Sequence, residues 1–326
     1  MGEVRQRVCH FASCRGRHCS SLSTLFAHCQ LGRCATARHG ELVTLSRPQA
    51  AALLADNGLA PQRSLGQNFV VDPNTVRKIA RIADVRSGDI VLEIGAGLGS
   101  LTAALAETGA QVIAVEVDRG IVPVLREQMA GIPNVEVVEA DAMTLNWHEF
   151  LTDINARHNR SADATFHLVA NLPYNIATPL VADLLDGVPA IHSMLVMVQS
   201  EVGERLCAAP GTEAYGALSV KIAYWANAQI AGSVPPTVFL PRPKVDSALV
   251  KIVRHTTLPL DDVAPEALFH LVRTGFAKRR KMLRSALAGV VSAEQFVEAD
   301  VEATLRAEQL DLAAWGRLVR VTHPIR

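Results

Sequence analysis

Ile90 to Ile94 is a short run, apolar except for Glu93, that breaks into Gly95-Ala96-Gly97-Leu98-Gly99, and Ser100-Leu101-Thr102-Ala103-Ala104-Leu105 follows as a helical stretch. A short β-branched run of that kind reads as a strand buried on both faces. Strand, glycine turn and helix in that order form the first unit of a doubly wound parallel sheet. The fold class expected is therefore α/β, with ligands at the carboxyl ends of the strands. The glycines alone do not name the ligand, since nicotinamide and flavin nucleotides use similar turns. Two details point away from a dinucleotide. The spacing is G-x-G-x-G rather than G-x-G-x-x-G, and Glu93 lies on the strand just ahead of the turn. A carboxylate there repels a pyrophosphate, which such folds seat at the helix N-terminus. It suits a ligand with cationic parts. S-adenosylmethionine carries a sulfonium and an ammonium and has no phosphate.

Further strands are expected near residues 111–117, 135–139, 166–170 and 194–199. Two more, near 228–234 and 246–253, look antiparallel and close the sheet edge. Acids fall at the ends of the early strands. Glu116 lies about twenty residues past the glycine turn, where an acid accepts both ribose hydroxyls of a nucleotide. Asp141 and Ala142 follow the third strand. Asp141 is placed to accept from an adenine amino group, and the Ala142 N–H to donate to a ring nitrogen. A helix cap or loop acid is the plainer reading of Asp141 alone. The ordered series Glu93, Gly95, Glu116, Asp141, Asn171 weighs against it.

Asn171-Leu172-Pro173-Tyr174 closes the run at 166–170. As an isolated tetrapeptide it reads equally well as an ordinary turn. Beside a cofactor turn it supplies what a weakly nucleophilic aromatic amine needs. The Asn171 side-chain oxygen accepts one N–H, and the Leu172 carbonyl, biased toward extended geometry by Pro173, accepts the other. Tyr174 offers a flat face on which a base stacks.

Lys plus Arg and Asp plus Glu number 32 each, so the net charge is zero. A nucleic-acid protein needs a basic face rather than a basic total. Lys278, Arg279, Arg280, Lys281 and Arg284 form a run expected on a helix, and Arg242, Lys244, Lys251 and Arg254 flank the preceding hairpin-like region. A solvated helix face is the plainer reading of the run. With a base-holding tetrapeptide nearby, contacts to phosphates are expected instead.

From about residue 47 to its C-terminus the chain resembles the bacterial small-subunit rRNA adenine N6-dimethyltransferases, the KsgA or RsmA family. The motifs that carry the resemblance begin with Ser64-Leu65-Gly66-Gln67-Asn68-Phe69, the turn from Glu93 to Gly99, Val115-Glu116-Val117-Asp118 and Ala140-Asp141-Ala142-Met143. Asn171-Leu172-Pro173-Tyr174, Phe239-Leu240-Pro241-Arg242-Pro243-Lys244-Val245-Asp246-Ser247 and Phe276-Ala277-Lys278-Arg279-Arg280-Lys281 continue it. Ala96 and Arg242 each stand where the family carries proline, and neither change removes a functional group. The resemblance implies a Rossmann-like methyltransferase sheet with a small all-helical C-terminal domain. It implies S-adenosylmethionine as cofactor, with Asn68 and Val70 against it, Gly95 at its methionine part, Glu116 at the ribose and Asp141 at the adenine. Asn171 would stand between cofactor and target base. The expected activity is dimethylation of two adjacent adenosines in a hairpin loop of 16S rRNA. Immature 30S particles are the expected partner, the chain a cytoplasmic monomer without metal.

Chemistry agrees with that expectation. The adenine N6 lone pair is delocalised into the ring, and accepting both N–H bonds favours a pyramidal nitrogen aimed at the methyl donor. Such positioning supplies up to about 7–11 kcal/mol for well-oriented reactants. The base must leave its stack, so a loop is favoured as substrate. Competing readings are an assembly factor whose binding outweighs its catalysis, a 23S rRNA methyltransferase conferring antibiotic resistance, and a DNA adenine methyltransferase. The last is disfavoured by the small C-terminal part.

The domains expected are an extension over 1–40, a methyltransferase domain over 41–255 and an RNA-binding helical domain over 256–326. The extension holds five of the six cysteines (Cys9, Cys14, Cys19, Cys29, Cys34) with four histidines, and is nearly free of acids. It lacks the close Cys-x-x-Cys pairs of structural zinc. Its Arg- and Ser-rich composition resembles a targeting peptide, although a disordered extension is the expectation preferred. No run of about eighteen apolar residues suggests a membrane span. Helices are expected over 42–59, 217–226, 265–285, 293–298 and 310–319, and a cofactor-covering loop over 63–72.

Overall fold

The structure, a computed structural model, describes residues 44–323. The described residues begin with α1 (Arg47–Asp56), β1 (Phe69–Val70) and α2 (Pro73–Ala83). It alternates through β2 (Ile90–Ile94), α3 (Ser100–Ala106), β3 (Gln111–Glu116), α4 (Ile121–Gln128), β4 (Val135–Glu139) and α5 (Trp147–Arg157). Then come β5 (Phe166–Asn171), α6 (Ala177–Gly187), β6 (Ile191–Gln199), α7 (Ser200–Cys207) and α8 (Ala217–Trp225). The last strands are β7 (Ala226–Val234), β8 (Phe239–Leu240) and β9 (Ser247–Arg254), and the chain ends in α9 (Pro265–Ala277), α10 (Leu283–Ala286), α11 (Ala293–Glu298) and α12 (Leu312–Thr322).

Seven strands form one sheet in the order β4-β3-β2-β5-β6-β9-β7. β4, β3, β2, β5 and β6 run parallel, and β9 is antiparallel to both its neighbours. The order reverses between β2 and β5, because the chain builds β3 and β4 on one side and returns to the other. That switch point is where open α/β sheets hold ligands. The apolar strand runs are buried on both faces because helices cover both. Ile90, Leu92 and Ile94 pack with residues of α5 and α6, while Val91 packs with residues of α2 and α3. The expected α/β sheet, its strands and its antiparallel edge are all present.

Four expectations change. The helix expected over 42–59 is shorter in the described part, running from the Ser46 cap to Asp56. The loop expected over 63–72 contains a 3-10 turn and the two-residue strand β1, which pairs with β8. The helix expected over 265–285 stops at Ala277. Met282 instead bridges to Arg306, and the Leu283 and Arg284 amides donate to the Leu305 and Ala303 carbonyls at 2.7 and 3.0 Å. Pairing with a remote segment overrides the local helical preference, so Lys278 to Lys281 lie outside a helix and Arg284 falls in the short α10. The final helix is displaced to Leu312–Thr322 because the Asp311 carboxylate caps it, accepting from the Ala314 amide.

The C-terminal helices surround a separate apolar core that includes Leu271, Val272 and Trp315. Tyr215, Val220 and Tyr224, in and just before α8, belong to the same core. The Tyr224 hydroxyl donates to the Val263 carbonyl at 3.0 Å. The cysteines and histidines of the first forty residues lie outside the described residues.

Gly275 sits in α9 against Trp315, and a Cβ there would lie 2.6 Å from the ring. Alanine gains at most about 1 kcal/mol of helix propensity over glycine, whereas overpacking a core costs about 1–3 kcal/mol. Gly275→Ala is expected to destabilise the protein by about 1–2 kcal/mol in urea unfolding.

Candidate active site

Ile94 pairs in register with Ala170, so the segments leaving β2 and β5 emerge side by side. Between them lies a cleft. Its lining brings together Asn68, Gly95, Glu116, Asp141, Ala142 and the tetrapeptide from Asn171 to Tyr174. Val70 is buried and lines a smaller neighbouring cavity.

The glycine turn is shaped by the acid that ends β3. Gly95 and Gly97 have φ of 74° and 56°, the left-handed region that other residues avoid. The Gly97 amide donates to Glu116 Oε2 at 2.8 Å. Any Cβ on Gly97 would also lie 2.9 Å from the Phe69 ring. Glu116 Oε1 accepts from the Val117 and Asp118 amides at 3.0 and 2.9 Å. A carboxylate has about four acceptor directions, so one is open, on Oε2. As it stands, Glu116 has room for one ribose hydroxyl rather than the two expected. Burial pushes its carboxyl above the usual range even though these amides pull the other way.

Glu93 lies beneath the turn, 1% exposed, and its Oε2 has no hydrogen-bond partner. Burial pushes its carboxyl up to about 8, and the nearby Glu116 adds to the rise. It lines the smaller cavity together with Gly95, Gly97 and Asn171. No Lys or Arg lines either cavity. Acids without cations disfavour a phosphate and fit a cationic nucleoside.

Asn171 Nδ2 donates to the Asn68 carbonyl at 2.8 Å. A carbonyl only accepts, so this bond fixes which way the amide points and leaves Oδ1 as a free acceptor. The Leu172 amide donates to the Met197 carbonyl at 3.1 Å, and its side chain is buried. No hydrogen bond reaches the Leu172 carbonyl among the described residues. The Pro173 carbonyl instead accepts from Ile176 and Ala177 as α6 begins. Tyr174 is half-buried with its hydroxyl 3.3 Å from Ser247 Oγ. Asp141 is exposed, and its Oδ1 accepts from the Met143 amide at 2.9 Å, so it makes a local turn as well as lining the cleft.

Sequence reasoning did not single out Asp118. It is buried, and its Oδ2 accepts from Gln67 Nε2 at 2.6 Å and Gln62 Nε2 at 2.9 Å, which fastens the covering loop over the cleft. An acid two residues beyond Glu116 was the available signal.

At Tyr174 the cleft meets a broader groove whose lining includes Gly66, Asn68, Asn175, Arg242 and Lys244. Both cations are exposed, as are Lys278, Arg280, Lys281 and Arg284. Arg279 is also exposed but its Nε donates to Glu308 at 2.8 Å and its Nη2 to the Glu213 carbonyl. Arg254, grouped with the basic flank from the sequence, does not serve a surface. Its guanidinium donates to the carbonyls of Leu184, Leu185, Val188 and Ile191 at 2.8–3.1 Å, closing the end of α6. Lys251 reaches toward the Ile82 carbonyl at 3.5 Å. Among the described residues no cluster of three metal-ligating side chains occurs, and no helix is long and apolar enough to cross a membrane.

Residues 59–322 match the family model described as Ribosomal RNA adenine dimethylase. A protein of Leifsonia xyli named Ribosomal RNA small subunit methyltransferase A is 44% identical over 271 residues, covering 80% of this chain and 92% of that one. One of the same name from Kineococcus radiotolerans is 45% identical over 275 residues, covering 81% and 87%. Among solved structures, a dimethyladenosine transferase from Plasmodium falciparum superposes with a TM-score of 0.64 at 25% identity, covering 76% of this chain and 94% of that one. The 23S rRNA methyltransferase ErmE superposes with a TM-score of 0.60, also at 25% identity, covering 78% and 99%.

The Glu93 carboxyl titrates near 8 when folded and near its ordinary 4.5 when unfolded. The unfolded state therefore loses its proton first as pH rises. The stability contributed by the neutral acid is full below about pH 4.5 and is lost progressively up to about pH 8. Each pH unit in that window costs at most about 1.4 kcal/mol. Glu93→Gln is expected to flatten this decline in urea unfolding measured from pH 5 to 8, without ligand.

Proposed function

The chain belongs to the ribosomal RNA adenine dimethylase family, and on that premise we propose that it transfers methyl groups from S-adenosylmethionine to N6 of two adjacent adenosines in a hairpin loop near the 3′ end of small-subunit rRNA. The observation that carries this reading is the Asn171 amide, held by the Asn68 carbonyl with its oxygen free in an acid-lined cleft. When bound, the cofactor supplies an electrophilic methyl group on a sulfonium. The protein's residues do the rest by position and electrostatics.

Asn171 Oδ1 and the Leu172 carbonyl take the two N–H bonds of the adenine amine, which turns its lone pair toward the methyl donor. Tyr174 stacks on the base, its ring steadied at the hydroxyl by Ser247. No side-chain base is needed, because the amine becomes strongly acidic only after it has been methylated. Gly95, Gly97 and Glu93 face the methionine part, where an ammonium would favour the ionised form of Glu93. Glu116 accepts from the ribose. Asp141 and the Ala142 amide address the adenine ring, and Asn68 and Val70 close over the cofactor. Exclusion of bulk water by the covering loop strengthens each of these interactions.

RNA lies along the groove between Gly66 and Lys244, with Arg242 and Lys244 on phosphates. Lys278, Arg280, Lys281 and Arg284 extend that surface, and Arg279 joins if it leaves Glu308. The division into a methyltransferase domain to residue 255 and a helical domain beyond is proposed with α8 shared between the two. The 23S rRNA reading has a weaker footing, since the relatives named for the small subunit are 44–45% identical and ErmE is 25% identical.

Asn171→Ala is expected to lower methylation of unmethylated small subunits by about 10²-fold or more, while S-adenosylmethionine affinity changes only a few-fold. Unchanged methylation would refute the amine-positioning role. An inactive variant that still co-sediments with immature small subunits would support an additional assembly role. Arg242→Ala with Lys244→Ala is expected to weaken subunit binding and to lower the slope of log K against log salt by about 0.7–0.9 for each phosphate that is no longer neutralised.

A further inference from the structure

Asn171 is oriented by a carbonyl that belongs to neither β5 nor the glycine turn. Asn68 is the residue before β1, and β1 is only Phe69 and Val70. Its partner β8 is Phe239 and Leu240, paired Phe69 to Leu240 and Val70 to Phe239. The Val71 amide extends the ladder by donating to the Val238 carbonyl at 2.8 Å. Two residues past Leu240 the same segment presents Arg242, then Lys244, on the wall of the RNA groove. One short backbone pairing thus joins the loop that orients the amine acceptor to the loop that offers cations to phosphates.

A two-residue pair is marginal unless something else holds it. Here Arg47, at the start of α1, donates from Nη2 to the carbonyls of Thr237 at 2.8 Å and Phe239 at 2.7 Å. Hydrogen bonds from a guanidinium are roughly twice as strong as those between neutral groups. Arg47 therefore pins the β8 strand at its carbonyls, while Phe69 and Phe239 bury their rings in two different apolar cores.

Resting on the function proposed above, we propose that Arg47 and the β1–β8 pair form a clasp through which cofactor and RNA reinforce each other's binding, with Arg47 as its positioning residue. A cofactor against Asn68 favours the clasped arrangement of β1. RNA phosphates on Arg242 and Lys244 favour the clasped arrangement of β8. Each ligand then improves the site of the other, and linkage requires the two effects to be equal.

The test measures S-adenosylhomocysteine affinity by equilibrium dialysis with and without saturating unmethylated small ribosomal subunits, and subunit affinity with and without S-adenosylhomocysteine. In the wild type both ratios are expected to agree, at about 5-fold or more. Arg47→Ala is expected to bring both ratios toward one, with faster hydrogen exchange at the Val71 amide. Arg47→Lys, which keeps the charge and can reach one carbonyl, is expected to fall between, and serves alone if the alanine variant does not fold. A wild-type ratio of one overturns the clasp. So does an Arg47 variant that weakens both ligands while leaving the ratio unchanged, which marks a purely structural role. Failure of the wild type to bind either ligand, or to methylate the subunits, would count against the function proposed and not against the clasp alone.

Discussion

The hydrogen bond from Asn171 to the Asn68 carbonyl, 2.8 Å long, joins two parts of the chain that are 103 positions apart. It has no meaning without the sheet that brings β5 beside β2, and none without the covering loop that returns over the cleft. Asn171 sits at the last position of β5, where the parallel register leaves its side chain next to the glycine turn. An amide has a donor end and an acceptor end, and only an external partner decides between them. Once the carbonyl has taken the donor end, the acceptor end is committed to the cleft.

Electrostatics follow the same plan. Two buried carboxyls, Glu93 and Glu116, sit around the left-handed turn. Glu116 is met by three amides and so acts first as a strut for the glycine loop. Glu93 is met by too few groups to satisfy both oxygens, and burial raises its proton affinity. A cleft walled by such acids and free of lysine and arginine is selective before any specific bond forms. A lining without cations disfavours a phosphate and fits a positively charged nucleoside.

Much of this was legible in the sequence. Ile90 to Ile94 announces a strand because β-branched residues buried on both faces leave no room for another reading. The acids at 93, 116 and 141 and the amide at 171 fall at strand ends, and parallel topology collects strand ends at one edge. What could not be read depends on partners far along the chain. Two-residue strands such as Phe69–Val70 carry no periodicity. The helix expected to run through Lys278 ends earlier because Leu283 and Arg284 pair with a remote segment. Arg254 looks like any surface cation until the end of α6 and the start of β6 are seen offering it four carbonyls. Glu116 reads as a ribose acceptor, and only the folded turn reveals that most of its lone pairs are engaged.

The apolar cluster around Trp315 draws in Tyr215, Val220 and Tyr224, so the C-terminal helices end at a seam that does not follow the covalent linker near residue 255. α8 packs on both sides, Ile222 in the core beneath the sheet and Val220 and Tyr224 in the core of the C-terminal helices. A hybrid enzyme spliced at the linker would tear aromatic rings out of one parent's interior and leave the other's ill-fitted. A graft that exchanges the C-terminal helices would have to carry the segment from Tyr215 through α8 with it, and so would also disturb the strand that begins at Ala226. Exchange of the C-terminal helices between relatives is therefore constrained by a shared interior rather than by the length of a connecting loop.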